Sequence, residues 1–156
     1  MNADTITEAR VISIDYSMSL EAMIAAGKYD WKNGNITANE FPVEGTGIIR
    51  FETKVFHFDR NISSGDAVAA IKADDPRNPW EPAKIEHLLA YGAKNPEDQR
   101  KYPIIGLGSV ALVRGGCFVP CLGGSVVGRR LGIYWRGDGW DGYGRFLSVR
   151  KLSSAA

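Results

Sequence analysis

Eleven residues near the C-terminal end, RGDGWDGYGRF at 136–146, bring together four glycines, two Asp, two Arg and three aromatic rings. Planar rings beside guanidinium groups stack on nucleobases and contact phosphates, which is the chemistry of single-strand nucleic-acid binders. The same stretch suits a turn, because Gly accepts positive φ and Asp bonds to nearby backbone. Its neighbours LGIYWR and RFLSVRK read as strands that the stretch joins as a hairpin. If Leu131 and Ile133 face Val149 and Leu147, the apolar pairs lock on one side, and Tyr134, Arg136, Phe146 and Arg150 share the other. Trp140 then sits at the loop tip, with Arg129 and Arg130 just upstream. These seven are the candidate binding residues. The competing reading packs the strip under a helix or a partner, with the arginines reaching outward.

The remaining reactive residues form weaker patterns. RGD at 136–138 matches an adhesion tripeptide by chance. DGWDG offers two carboxylates but not the further oxygen ligands of a calcium loop. The glycines of GLGSVALVRGG open no helix and complete no dinucleotide fingerprint, so Gly106 and Gly108 are expected to make room for a ring or for sheet curvature. His57 and His87 are the only histidines; with Cys117 and Cys121 their spacings match no zinc finger. His57 shares the parity of a core-facing strand side, so a hydrogen-bonded histidine at the core edge is expected. Glu86 and His87 beside a free cysteine could serve a small enzyme, although no orienting group or oxyanion element accompanies them.

Composition narrows the class. The 156 residues suit one domain, 1–156, able to bury roughly 70% of the surface its unfolded chain exposes. No apolar run approaches the roughly 20 residues that span a bilayer, so no membrane partner is expected. The first twenty residues carry Asp4, Glu8 and Asp15 and lack a basic start followed by an apolar stretch. A cytoplasmic protein with free thiols is therefore expected. On one strand Cys117 and Cys121 would lie about 13 Å apart, beyond disulfide reach. Net charge is +1, but residues 1–100 carry eleven Lys or Arg against sixteen Asp or Glu, a balance of −5. Residues 101–156 carry eight against two, a balance of +6, which favours an anionic partner.

The elements that must position these groups follow from periodicity. ARVISIDY alternates as a strand, and SLEAMIAAG gives a short helix with Ser19 as N-cap and Gly27 as its stop. Residues 28–46 read as a loop with a brief strand near Ile36. GIIRFETKVFHF is the clearest strand, with Ile49, Phe51, Thr53 and Val55 on one side and both sides covered past Val55. Ser63 caps a second helix over DAVAAIKA. WEPAKIEHLLAYG gives a third with Pro82 in its first turn, and NPEDQRKYP can add one more turn. IIGLGSVALV is apolar on both faces, as a central strand is, Gly115-Gly116 signals a hairpin, and Pro120 in CFVPCL demands an edge or a bulge. The expected fold is α+β: a mostly antiparallel sheet or partly closed barrel of five to six strands, with two to three helices and a C-terminal β-meander.

DYSMSLEAMIAAGKYDW together with NPWEPAKIEHLLAYGA resembles a set of short uncharacterised bacterial or phage proteins, over most of the chain. That resemblance brings no activity and no functional residue. The function expected from the residues is a non-enzymatic binding or adaptor domain whose C-terminal hairpin face takes an anionic or nucleic-acid partner, with no cofactor. The alternatives are a protein-interaction or self-association module and a small enzyme using His87, Glu86 or a cysteine.

Overall fold

The structure, a computed structural model, describes residues 10–152. Asp4 and Glu8 fall outside that range. In chain order the elements are β1 Val11–Asp15, α1 Leu20–Gly27, β2 Trp31–Lys32, β3 Ile48–His57, α2 Ser64–Ala73, β4 Glu81–Pro82 and α3 Ile85–Lys94. There follow α4 Asp98–Lys101, β5 Ile104–Ile105, β6 Ala111–Val113, β7 Gly116–Ser125, β8 Gly128–Trp135, a 3-10 turn at Arg136–Asp138 and β9 Arg145–Lys151.

The sheet runs β1-β3-β9-β5-β7-β8-β2, with β4 added beside β9 and β6 beside β7. It is open rather than a closing barrel, and it is mixed. β5 lies parallel to β9 and β2 parallel to β8, while the other pairs are antiparallel. The nine strands exceed the expected five or six because β2, β4 and β5 are two residues each, too short to show a period. Their partners are distant in sequence.

Local signals explain most of the longer elements. Ser19 Oγ accepts from Ala22 N to open α1, and Ser63 Oγ accepts from Asp66 N to open α2. β3 buries Phe51 and Thr53 on the anticipated side, but past Val55 only one side is covered rather than both, because Phe56 and Phe58 enter a core while His57 is exposed. Pro82 is a strand residue here, and α3 begins three residues later at Ile85. The β6–β7 hairpin turns on Arg114 and Gly115, both at positive φ, one residue earlier than the Gly115-Gly116 pair. Pro120 lies inside β7 but at a local edge, in the gap between the β5 and β6 pairings. Its side of the ladder is where the chain leaves β5 before entering β6, so the missing N–H interrupts nothing and its carbonyl still accepts from Gly106 N at 3.0 Å.

Two cores lie on opposite sheet faces. Ile12, Ile14, Leu20, Met23, Leu88, Leu89, Ile104, Leu131 and Leu147 pack beneath α1 and α3. Phe56, Ile71, Trp80, Ile105, Val119, Cys121 and Phe146 pack beneath α2. Consecutive residues such as Ile104 and Ile105, or Phe146 and Leu147, thus enter different cores, which is why these segments read as apolar on both sides.

The expected C-terminal meander is only half present. β6, β7 and β8 form it, but β9 leaves to lie between β3 and β5. β8 and β9 are separated by β7 and β5, so the 136–144 connection is a crossover and not a hairpin turn. It is held elsewhere: Trp140 and Ile62 exchange both backbone hydrogen bonds at 2.9 Å, and Trp140 Nε1 donates to Ser64 Oγ at the start of α2.

Gly106 and Gly108 make room for backbone rather than for a ring. A Cβ on Gly108 would stand 2.3 Å from the Pro82 carbonyl oxygen, and Gly108 N donates to Ala83 O at 2.8 Å. Gly108→Ala is therefore expected to cost about 2–3 kcal/mol, because backbone on both sides must move. A urea midpoint equal to that of the unsubstituted protein would refute the close approach.

Candidate functional site

The pleat side expected for Tyr134, Arg136, Phe146 and Arg150 is found in part, yet the seven candidate residues do not make one surface. Tyr134, Phe146 and Arg150 share the face that carries α2, and α2 with the crossover covers much of it. Phe146 is 1% exposed, wedged against Trp140 and Phe58 at ring distances of 6.0 and 5.7 Å. It is a core residue. Arg150 stacks 4.0 Å over Trp80 and binds Glu52 at 2.9 Å and Asp75 at 3.0 Å. Trp140 is half-buried between Tyr134 and Phe146. Arg136 is half-buried at the 3-10 turn, its carbonyl accepting from Ser64 Oγ.

Arg129 and Arg130 point to opposite faces, as neighbours on a strand must. Arg129 is buried beneath the helices, where its guanidinium donates to Gly27 O, to Gly92 O at 2.9 Å and to Gln99 Oε1 at 2.8 Å. The Tyr29 ring lies 4.7 Å below it. Burial outweighs this cation and lifts the Tyr29 hydroxyl to about 12. Arg129 is thus a structural residue joining α1, α3 and α4. The basic C-terminal third does not converge on one patch, since Arg129 is interred, Arg150 is neutralised by carboxylates from the first hundred residues, and Arg145 lies over Tyr102 at 4.3 Å.

What remains is a groove at the β2 end of the sheet. β8 contributes Arg130, Gly132 and Tyr134, β7 contributes Cys121 and Gly123, and β2 contributes Trp31, with Asn33 beyond it. The groove encloses about 490 Å³. Trp31 is 51% exposed and Tyr134 is 47% exposed, so both rings stand above a floor whose paired strands carry glycine at 123 and 132. A Cβ on Gly132 would meet the Trp31 ring at 3.9 Å, and one on Gly123 would touch nothing. The Trp140 ring backs Tyr134 at 6.2 Å. Arg130 is exposed, and among the described residues no carboxylate lies within ion-pairing distance of it.

Electrostatically the groove is simple. Complete burial pushes the Cys121 thiol up to about 12, and Cys121 first, then burial, raises the Tyr134 hydroxyl above its ordinary value. Both stay protonated at neutral pH. The groove therefore offers two flat faces, one amide, one phenol and a single positive charge. Such a lining accepts a planar ring attached to an anion.

Trp31 and Asn33 escape the sequence reading because β2 pairs, in parallel, with a strand a hundred residues away. The only local signal is a large aromatic ring set between the charged Asp30 and Lys32. Tyr134 and Arg130 are the two of the seven that reach the groove.

The other reactive residues are dispersed. His57 is exposed, with Nε2 at 2.7 Å from Gly142 O. Glu86 and His87 project from α3 into different surroundings: Glu86 Oε2 accepts from Tyr16 OH at 3.1 Å, whereas His87 packs edge-on to Phe51. Cys117 is exposed, Cys121 is buried, and neither forms a disulfide. His87 and Cys117 border one cleft, but no hydrogen bond joins them among the described residues. Among those residues no set of three or more His, Cys, Asp or Glu side chains gathers as metal ligands, and no helix is long and apolar enough to cross a membrane.

The fold and this groove define a class: an open, mixed-sheet α+β domain with an aromatic, singly cationic groove at one sheet end. No family model, no curated protein and no solved structure matches the chain.

Proposed function

We propose that the protein is a non-enzymatic binding domain for single-stranded nucleic acid, which it holds by stacking bases against Trp31 and Tyr134 while Arg130 meets the phosphates. One observation carries this reading: two half-exposed rings flank a glycine floor, with an exposed arginine on the same face of the same strand as one of them. Glycine matters here because a bare backbone lets a flat base lie flush against the sheet. Stacking is tolerant of base identity, so weak sequence preference goes with it.

The test is fluorescence anisotropy of a labelled single-stranded oligonucleotide at low and moderate salt. Each stacked base lost costs about 1–3 kcal/mol, so Trp31→Ala and Tyr134→Ala are each expected to weaken binding about fivefold to a hundredfold. Both side chains are half-exposed, so folding should be little disturbed. Arg130→Gln should weaken binding and flatten its salt dependence by about one counterion. Affinity indifferent to all three changes, or to salt, would refute the reading.

A second reading has its own support. Val126 and Val127, at the β7–β8 turn, are both 90% exposed, and the sheet ends at the two-residue strand β2 next to β8. A self-association module would use that edge. Sedimentation separates the readings, since only self-association predicts that Val126→Ser with Val127→Ser lowers the observed mass.

A further inference from the structure

A second cleft, away from the groove, lies where the start of α3 meets the end of β9, α2 and the 3-10 turn. It encloses about 740 Å³, and Lys72, Lys84, Arg136 and Lys151 border it. Lys72 lies in α2, Lys84 is the N-cap of α3, Arg136 opens the 3-10 turn and Lys151 ends β9. Glu81, 3.8 Å from Lys72, is the one carboxylate among the lining residues, and Arg150, also there, is already held by Glu52 and Asp75.

His87 makes this more than a basic rim. It is 5% exposed, and it borders the cleft from the first turn of α3. Its Nδ1 accepts the Lys84 backbone N–H at 2.9 Å, which places the proton of the neutral ring on Nε2. That Nε2–H is buried and has no partner. A buried donor without an acceptor is costly, and native structures seldom keep one without a reason. His87 is one of the residues that line the cleft, so an acceptor entering there would satisfy it. Burial, then the charge of Lys84, holds the ring neutral at ordinary pH, so His87 supplies direction while the lysines and arginine supply charge.

We infer that this cleft binds the phosphate group of a small phosphorylated molecule, with His87 Nε2–H donating to one oxygen and Lys84, Lys151 and Arg136 surrounding the others. Three cations from separate parts of the fold suit an anion with several oxygens and more than one charge better than a single carboxylate. The N-terminus of the ten-residue α3 adds its positive dipole end to the same place. The volume exceeds that of a phosphate ion, leaving space for an organic portion. This site does not depend on the stacking groove, which shares none of its lining residues.

Nitrogen-detected NMR of the imidazoles tests this on the unsubstituted protein, with inorganic pyrophosphate as the probe and chloride at matched ionic strength as the control. The protein has two histidines, and His57 Nε2 is already engaged by Gly142 O, so it reports non-specific change. The expected result is a saturable shift of His87 Nε2 with pyrophosphate alone, while His57 stays in place. Lys84→Gln with Lys151→Gln, both at exposed positions, should weaken that binding about tenfold or more with an unchanged thermal melt. Trp31→Ala should leave it intact. A His87 signal unmoved by pyrophosphate, or moved equally by chloride, overturns the inference, as does a double lysine variant that binds as tightly as the unsubstituted protein.

Discussion

Arg129→Met is expected to remove about 3–5 kcal/mol of stability, a large part of what a domain of this size possesses. The guanidinium is the shared donor for Gly27 O at the end of α1, Gly92 O near the end of α3, and Gln99 in α4. Two of these acceptors are helix C-terminal carbonyls, where a positive charge is favoured by the macrodipole. Met fills a similar volume but donates nothing, so three buried acceptors lose their partner at once. Gln99 is coupled to the same loss, because its amide holds Gly123 O and Arg130 O at 2.8 and 3.0 Å. Arg129→Lys should recover only part of the stability, since an ammonium cannot span acceptors arranged for a planar fork. Urea unfolding of both variants beside Arg130→Gln makes the contrast. The neighbouring substitution is expected to stay within about 0.5 kcal/mol of the unsubstituted protein. Equal midpoints for Arg129→Met and Arg130→Gln would show that the buried network does not carry this weight.

Acid should destabilise the fold through His87. Burial, followed by the nearby Lys84 charge, lowers its pKa from 6.5 to about 3. In the unfolded chain the imidazole takes a proton near 6.5; in the folded chain it resists until about 3. The unfolded state therefore binds more protons in that window, and stability that is complete above pH 6.5 declines as pH falls towards 3. The accumulated loss is on the order of 5 kcal/mol. His87→Gln isolates it, because glutamine at this helix position can still reach back to the Lys84 N–H, as in a capping box, yet cannot titrate. Its urea midpoint should depend much less on pH across the same window, measured in phosphate-free buffer. Asp15, held below the usual carboxylate range by its bond from Ser17, and Asp75, held there by Arg150, act in both proteins and cancel in the difference. Parallel curves for the two proteins would mean that His87 is not the titrating group.

These two residues illustrate what the local pattern could and could not convey. Arg129 and Arg130 are adjacent and identical in type, and the sequence read both as candidates for an anion. Strand parity sends one into a core and the other to solvent, and only the strand's place in the sheet decides which face is which. The sequence offers His87 only as a candidate beside Glu86 for a small enzyme, with no sign of the cleft it lines. The cations that border that cleft lie at 72, 84, 136 and 151, a spread that no motif search would join.

By itself the sequence determined the class of the fold and the position of its longer parts. Ser19 and Ser63 cap helices where their side chains reach the backbone three residues on. β3 alternates as written, and the β6–β7 turn falls within a residue of its glycine signal. These are local matters, set by side-chain period, capping and the φ freedom of a few residues. The tertiary structure alone decided which strands are neighbours. β9 leaves β8 for a place between β3 and β5, which turns a supposed hairpin face into a covered core and buries Phe146. β2 comes to β8 from a hundred residues away and brings Trp31 to the side of Tyr134. Pairing at that separation is settled by the burial of whole faces, a sum over many distant contacts that leaves no period in either segment.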